Sequence, residues 1–334
     1  MTPSRHRRPE STATSWRLLL AFAVVYLVWG STYLAIRFAV ETLPPLLMAG
    51  TRFLVAGGVL YAWHVAGAGR SAGARRATRA QWKSATITAL FLISASYGLV
   101  SWAEETVPSG VVAVVAATTP LWMVIIPWFA KGERRPPTLV LAGVALGLAA
   151  QGLLFDVGAL DRATIDPWRL GAVFLASISW AIGSLRARDA DQPADPFLGS
   201  SMQMLTGGLV LVIVGILFGE AARFSLEGVT LRSALAWAYL VVAGSMVAYS
   251  AYLYVLTATS PARASTYAYV NPIVAVALGW LFAGEAIGWR TVVAIGLTLL
   301  AVLAIDWGAA KSDGVTEHPS PGLSESRSSD SAHS

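Results

Sequence analysis

The stretch LLLAFAVVYLVWGSTYLAI (18–36) holds no Asp, Glu, Lys or Arg. A helix that crosses the hydrocarbon core of a membrane takes about 20 mostly apolar residues. Further charge-free windows run over 53–69, 84–103, 106–130, 136–155, 170–185, 196–219, 233–262, 264–284 and 291–305. These are continuous Leu, Val, Ala and Ile runs, unlike the alternating segments of a transmembrane β-barrel. With flanking residues added to the short windows, they predict ten transmembrane helices. These lie near 18–40, 44–66, 82–103, 107–130, 137–156, 167–187, 197–219, 233–257, 261–283 and 288–307. The expected fold is an all-α integral membrane protein.

Composition agrees. The 334 residues are 55% hydrophobic and 13% charged, where soluble domains carry about 25% charge. No polar segment is long enough for a large soluble core. There is no cysteine, which excludes disulfides, thiol catalysis and Cys-ligated metals. The four histidines, His6, His64, His318 and His333, are scattered, so no metal centre and no cofactor are expected. An intramembrane enzyme would need a nucleophile with a base, or a metal, and neither pattern is present. A phosphate-binding glycine loop is missing as well, so direct ATP drive is not expected.

The net charge of +5 reflects topology, and a nucleic-acid partner is not expected. Arg5, Arg7, Arg8 and Arg17 precede the first span. Arg70, Arg75, Arg76, Arg79 and Lys83, then Lys131, Arg134 and Arg135, fall on the same side. Basic residues favour the cytoplasm, so both termini are predicted to be cytoplasmic. The first apolar run is too long for a signal-peptide core and is expected to stay as an anchor.

The two halves echo each other. Trp29 and Trp180, Pro45 and Pro196, Arg52 and Gln203, and Gly57 and Gly208 are each 151 residues apart. Tyr97 and Tyr249, Trp102 and Tyr254, Pro120 and Pro272, Gly132 and Gly284, and Glu133 and Glu285 are each 152 apart. One inserted residue explains the drift, and a shared register points to duplication. Five helices per copy is an odd number, so the second copy enters the membrane from the opposite side. Such inverted repeats are a frequent plan of secondary transporters, with substrate near the midplane. The expected organisation is a cytoplasmic tail (1–17), a first repeat (18–156), an outer loop (157–166), a second repeat (167–307) and a disordered cytoplasmic tail (308–334).

Polar residues inside spans are costly and mark candidate sites. Arg52 lies eight residues past Pro44, about 12 Å into its helix. It suits a carboxylate or other anion, a gate partner, or a bond to neighbouring carbonyls. Tyr26, Trp29, Tyr33 and Arg37 share one face of the first helix. Trp180 and Ser184 in the sixth, Tyr97 in the third, Tyr249 in the eighth, and Tyr267 and Asn271 in the ninth offer similar aromatic and polar handles for a substrate cavity. Interhelical packing and interface anchoring would use the same residue types. Arg37, Glu41, Glu104 and Glu105 map with Arg52 to one end of the first repeat, where they could form a salt-bridge gate. Arg37 and Glu41 are spaced for an ion pair. Glu104 and Glu105 are the candidates for proton coupling, because desolvation raises a carboxyl pKa. Pro120 and Pro272, placed near the middles of their helices, are candidate hinges.

The segments WGSTYLAIRFAVETLPPLLMAGTRFLVAGG (29–58), AEETVPSGVVAVVAATTPL (103–121), ISWAIGS (178–184) and STYAYVNPIVAVALGWLFAGE (265–285) resemble the EamA family of the drug/metabolite transporter superfamily, and within it the YedA-like exporters. The resemblance covers residues 18–307. It implies a ten-helix, two-repeat carrier with a cavity lined by helices 1, 3, 4, 6, 8 and 9. It implies efflux of small metabolites, amino-acid-like or drug-like, across a bacterial inner membrane. One departure is Gln203, where some YedA-like relatives carry an acid. The expected function is secondary active export, with a small molecule and the bilayer as partners. An importer or lipid-metabolite flippase on the same scaffold, or a receptor or channel, are the alternatives.

Overall fold

Helix starts are set by prolines placed where a missing N–H costs nothing. Asp166 and Asp195 cap Trp168 and Phe197 just behind Pro167 and Pro196, and Ser260 caps Arg263 behind Pro261. The computed structural model describes residues 13–67, 77–154, 166–193, 195–283 and 288–315. Ten long helices run through them. They are α1 (Ala13–Ala39), α2 (Pro45–Val65), α3 (Arg79–Ala103), α4 (Ser109–Ala130), α5 (Thr138–Leu154), α6 (Pro167–Asp189), α7 (Pro196–Leu217), α8 (Leu231–Ala258), α9 (Tyr267–Ala283) and α10 (Trp289–Val315). Eight are long and apolar enough to cross a membrane. The other two, α5 and α9, have 17 residues each, the short end of the range for a span. A single turn, Pro261–Ala264, leads into α9. The last helix continues past 307 to Val315, so residues 308–315 belong to a helix and not to the tail that the sequence suggests. The predicted outer loop lies outside the described residues apart from Asp166.

The packing repeats across the halves. Helix α2 lies along α7, and α5 along α10. Helix α1 packs on α8 and α9, and α6 packs on α3 and α4. Exchanging the two halves maps this set of contacts onto itself, as expected of a duplicated unit related by a pseudo-twofold axis. The α2–α7 crossing depends on small residues. A Cβ at Gly57 would stand 2.9 Å from the Ser201 carbonyl oxygen, and one at Gly208 the same distance from that of Gly50. Both ends of this helix pair are held by buried or partly buried acids. Glu220 accepts from the N–H groups of Leu46 and Leu47 at the start of α2 (3.2 and 2.8 Å). Asp195 meets His64, in the last turn of α2, at 2.9 Å.

Leu19, Leu20, Leu27, Ile216, Leu217, Leu299 and Leu303 are exposed, while Arg52, Glu104, Gln203, Ser184 and Ser245 are buried. Water would reward the reverse distribution. Lipid does not penalise apolar side chains on the outside, so polar groups gather within.

Two local departures from the α-helix matter for the interior. Leu90–Tyr97 in α3 and Leu240–Tyr249 in α8 are π-helical. They end on Tyr97 and Tyr249, which are repeat partners. A π-turn widens the ring and re-aims the residues after it, often at functional sites. Helix α4 is broken at Ala117–Thr118, between Ser109–Ala116 and Thr119–Ala130. Pro120 is therefore the second residue of a new helical segment and does not kink a continuous helix. Pro272 does lie inside α9.

Candidate functional site

The α3 π-turn and the α4 break lie at the crossing of α1, α3, α4, α6 and α9. A cavity of about 60 Å³ lies there. Helix α1 supplies Trp29, Thr32, Tyr33 and Ile36, one face at helical spacing. Helix α3 supplies Ser96, Tyr97 and Val100. Helix α4 supplies Ala116 and Thr119 from either side of its break. Helix α6 supplies Ala176, Ser177 and Trp180, and α9 supplies Tyr267, Ala268 and Asn271. A larger open cleft, about 530 Å³, sits between α3, α4 and α6 nearer Lys131 and Asp189, which pair across it. The smaller cavity is the candidate site, because helices of both repeats wall it and line it with the polar side chains of Tyr33, Ser96, Thr119, Ser177 and Asn271.

Trp29 and Trp180, equivalent in the two repeats, meet edge to face at 5.3 Å. Trp29 also contacts Tyr252 at 4.9 Å and Tyr267 at 5.0 Å, and Trp180 contacts Tyr97 at 5.5 Å and Tyr252 at 5.2 Å. Such edge-on pairs favour a fixed ring arrangement. Hydrogen bonds lock it further. The Trp29 indole N–H donates to the Gly244 carbonyl (3.2 Å), and that of Trp180 to the Tyr252 hydroxyl (3.2 Å). Ser184 joins the same hydroxyl at 2.6 Å. One turn before Trp29, the Tyr26 hydroxyl meets Thr266 at 2.6 Å and ties α1 to the turn ahead of α9. The aromatic layer thus closes the cavity on the Tyr26 side.

Arg52 is fully buried beside this layer. Its Nε donates to Ser245 Oγ at 2.7 Å. Its guanidinium carbon lies 4.7 Å from the Phe53 ring and 4.9 Å from the Tyr97 ring. Among the described residues both terminal nitrogens lack a hydrogen-bond partner. In the second repeat the equivalent positions are satisfied, since the Tyr249 hydroxyl donates to Gln203 Oε1 at 2.6 Å.

Comparison with known proteins fits this duplicated plan. The EamA-like transporter family model matches residues 15–155 and again 168–306. The uncharacterized inner membrane transporter YedA of Escherichia coli K12 is 37% identical over 86% of this chain and 90% of its own length. Protein PecM of Dickeya dadantii is 27% identical over 83% of this chain and 88% of its own. A crystal structure with 20% sequence identity superposes with a TM-score of 0.68, covering 88% of this chain and 99% of the other. At that identity the likeness concerns the fold alone.

The chain belongs to the EamA-like transporter family.

In this EamA-like transporter the charges expected to form one gate are divided. Arg37 does not pair with Glu41. It donates to the carbonyls of Glu104 and Glu105 (2.5 and 2.7 Å) and so caps the end of α3. Those carbonyls carry the partial negative charge of a helix C-terminus. Glu41 instead approaches Arg232, in the first turn of α8, at 3.5 Å. Glu105 is taken by Arg169 of α6 at 2.8 Å, and Arg169 also stacks on Trp102. Glu104, one residue past the α3 span, is fully buried, and among the described residues neither carboxylate oxygen has a hydrogen-bond partner. Burial pushes its carboxyl well above the usual carboxylate range, against the pull of Arg37 and Arg52.

The structure brings Trp29, Tyr33, Tyr97, Trp180, Tyr267 and Asn271 to one cavity. Tyr26, Ser184, Tyr249 and Arg52 stand behind or beside its wall. Sequence reasoning passed over Thr32, Ser96 and Thr119. The three-residue step from Trp29 to Thr32 was a usable signal for the first. No spacing rule reaches Ser96 or Thr119, because each depends on a π-turn or a helix break.

Proposed function

We propose that this chain is a secondary active carrier that exports small organic metabolites, amino-acid-like or drug-like, across a bacterial inner membrane by alternating access. The observation that carries the reading is the cavity at the meeting of the two repeats, walled by two equivalent tryptophans and by hydroxyl and amide groups. Aromatic walls with a few polar handles suit small amphipathic molecules. A cavity of about 60 Å³ admits a few waters, whereas metabolite sites take roughly 300–1,000 Å³. The conformation is thus an occluded one, and substrate entry needs the repeats to move apart. The inner membrane location rests on the YedA relative, and cytoplasmic termini rest on the basic residues of the first half.

Glu104 is the coupling group in this reading. A buried carboxyl without a partner takes up and releases a proton as its surroundings open and close. Glu105 is held by Arg169 and is not needed for it. The test is flux from proteoliposomes loaded with a labelled metabolite pool, under an imposed pH gradient and in counterflow. Wild type empties the vesicles along the gradient. Glu104→Gln keeps counterflow and loses gradient-driven flux, and Glu105→Gln keeps both. No flux from wild-type vesicles above protein-free vesicles overturns the carrier reading.

A further inference from the structure

The two repeats treat one position differently. In the second, Gln203 and Tyr249 satisfy each other at 2.6 Å. In the first, Arg52 and Tyr97 occupy the same places and the Tyr97 hydroxyl lies beside the guanidinium, but among the described residues neither terminal nitrogen has an acceptor at hydrogen-bond geometry. Duplication shows that a neutral amide serves the fold there. A neutral amide would also avoid burying a charge, which is costly in this setting. Ser245 uses only Nε. The remaining face of the guanidinium is a planar fork of N–H donors, the geometry that takes a carboxylate or phosphate in two parallel bonds.

That fork lies one side chain from the cavity. Tyr97 lines the cavity and stacks 4.9 Å from the guanidinium carbon. Thr32 lines it too. A Cβ built on Gly244 would meet both the Thr32 methyl (3.2 Å) and an Arg52 terminal nitrogen (3.1 Å). Tyr97 and Thr32 are thus the side chains that stand between the charge and the aromatic box. Glu104 acts on Arg52 electrostatically, yet no hydrogen bond links them.

We infer that Arg52 is an anion subsite of the cavity, and that the substrate is a small organic carboxylate whose apolar or aromatic body lies against the wall that Trp29 and Trp180 form. This rests on the carrier reading above and narrows its substrate class. Glu104 does not hold the substrate.

Two probes of matched shape test the inference on the purified protein in lipid nanodiscs. These are phenylacetate, an anion, and 2-phenylethanol, its neutral counterpart, with binding followed by calorimetry. Wild type binds phenylacetate about tenfold or more tightly than 2-phenylethanol, as expected for charge-assisted hydrogen bonds. Arg52→Gln weakens phenylacetate alone and brings the two probes within about twofold. Its retained 2-phenylethanol binding shows that it folds. Arg52→Lys keeps part of the preference. Equal binding of both probes by wild type, or a preference that survives Arg52→Gln, overturns the subsite and leaves the carrier reading standing. Binding of neither probe removes the cavity itself from that reading, and the subsite with it.

Discussion

Glu104 shows what a single residue does when its neighbours bind its backbone and leave its side chain alone. Arg37 engages the carbonyl, and the carboxyl stays buried without an acceptor or donor. In the unfolded chain this group titrates near the ordinary value of about 4.3. In the folded chain burial places it well above that value. The folded state therefore favours the protonated form. This contribution is fully present below the unfolded pKa and is lost as pH rises toward the folded one. Glu104→Gln should accordingly gain on wild type in thermal stability as pH is raised from about 4 to 8, with the two closest at the acid end. A difference in melting temperature that stays flat with pH would place the carboxyl in water. The sequence did mark Glu104 and Glu105 together, but it could not separate them. Their fates differ because Arg169, 64 residues further on, reaches one of them. The same limit hid the real partner of Glu41, which is Arg232 on α8. By contrast, the mismatch of Arg52 against Gln203 was legible from the repeat register alone, since it needs only alignment of the two halves.

Among the elements, the π-helical turn of α3 decides which of its residues face the cavity. An α-helix advances 100° per residue, and a π-turn holds one extra residue per widened ring. Deleting one residue within Leu90–Tyr97 would let α3 close into a regular helix. Either Tyr97, Val100 and Glu104 then rotate by about 100° relative to the first half of α3, or the helix shifts along its axis. Deletion of Leu90, at the start of the stretch, should leave insertion and expression near wild type and reduce flux at least tenfold. Deletion after Glu133, in the link between α4 and α5, should be tolerated. Equal flux from both deletions would mean that the π-turns carry no positional role. The existence of the helices was plain from uninterrupted apolar windows, because the bilayer imposes a length and forbids charge. The π-turns and the break before Pro120 were not. Nothing in LFLISASY or VVAATTPL announces them, and the first π-turn lies where helices from the other half crowd the backbone. Ser94, inside the first π-turn, donates to the Gly207 carbonyl on α7 at 3.1 Å, and Gly183 of α6 faces Leu92 closely.

Over the whole molecule, pseudo-symmetry relates the two ends of the carrier. The end on the Tyr26 side is closed by the aromatic layer and by the bond between Tyr26 on α1 and Thr266 before α9. The repeat register maps Tyr26 onto Ser177 in α6, and Thr266 onto Val114 in α4. If the halves exchange conformations during transport, as inverted repeats allow, the Ser177–Val114 approach in the second state takes over the part played here by Tyr26 and Thr266. The chain has no native cysteine, so each pair can be tested by paired cysteines and a short bifunctional thiosulfonate. Tyr26→Cys with Thr266→Cys should cross-link at rest and arrest flux until reduced. Ser177→Cys with Val114→Cys should cross-link slowly at rest, faster during turnover, and block flux from the opposite state. The two locked forms should differ in which membrane face admits a thiol reagent to a third cysteine at Ser96. Cross-linking of both pairs with the same rate, with and without turnover, would mean that the ends move independently. The inverted repeat would then record the chain's origin but not its transport cycle.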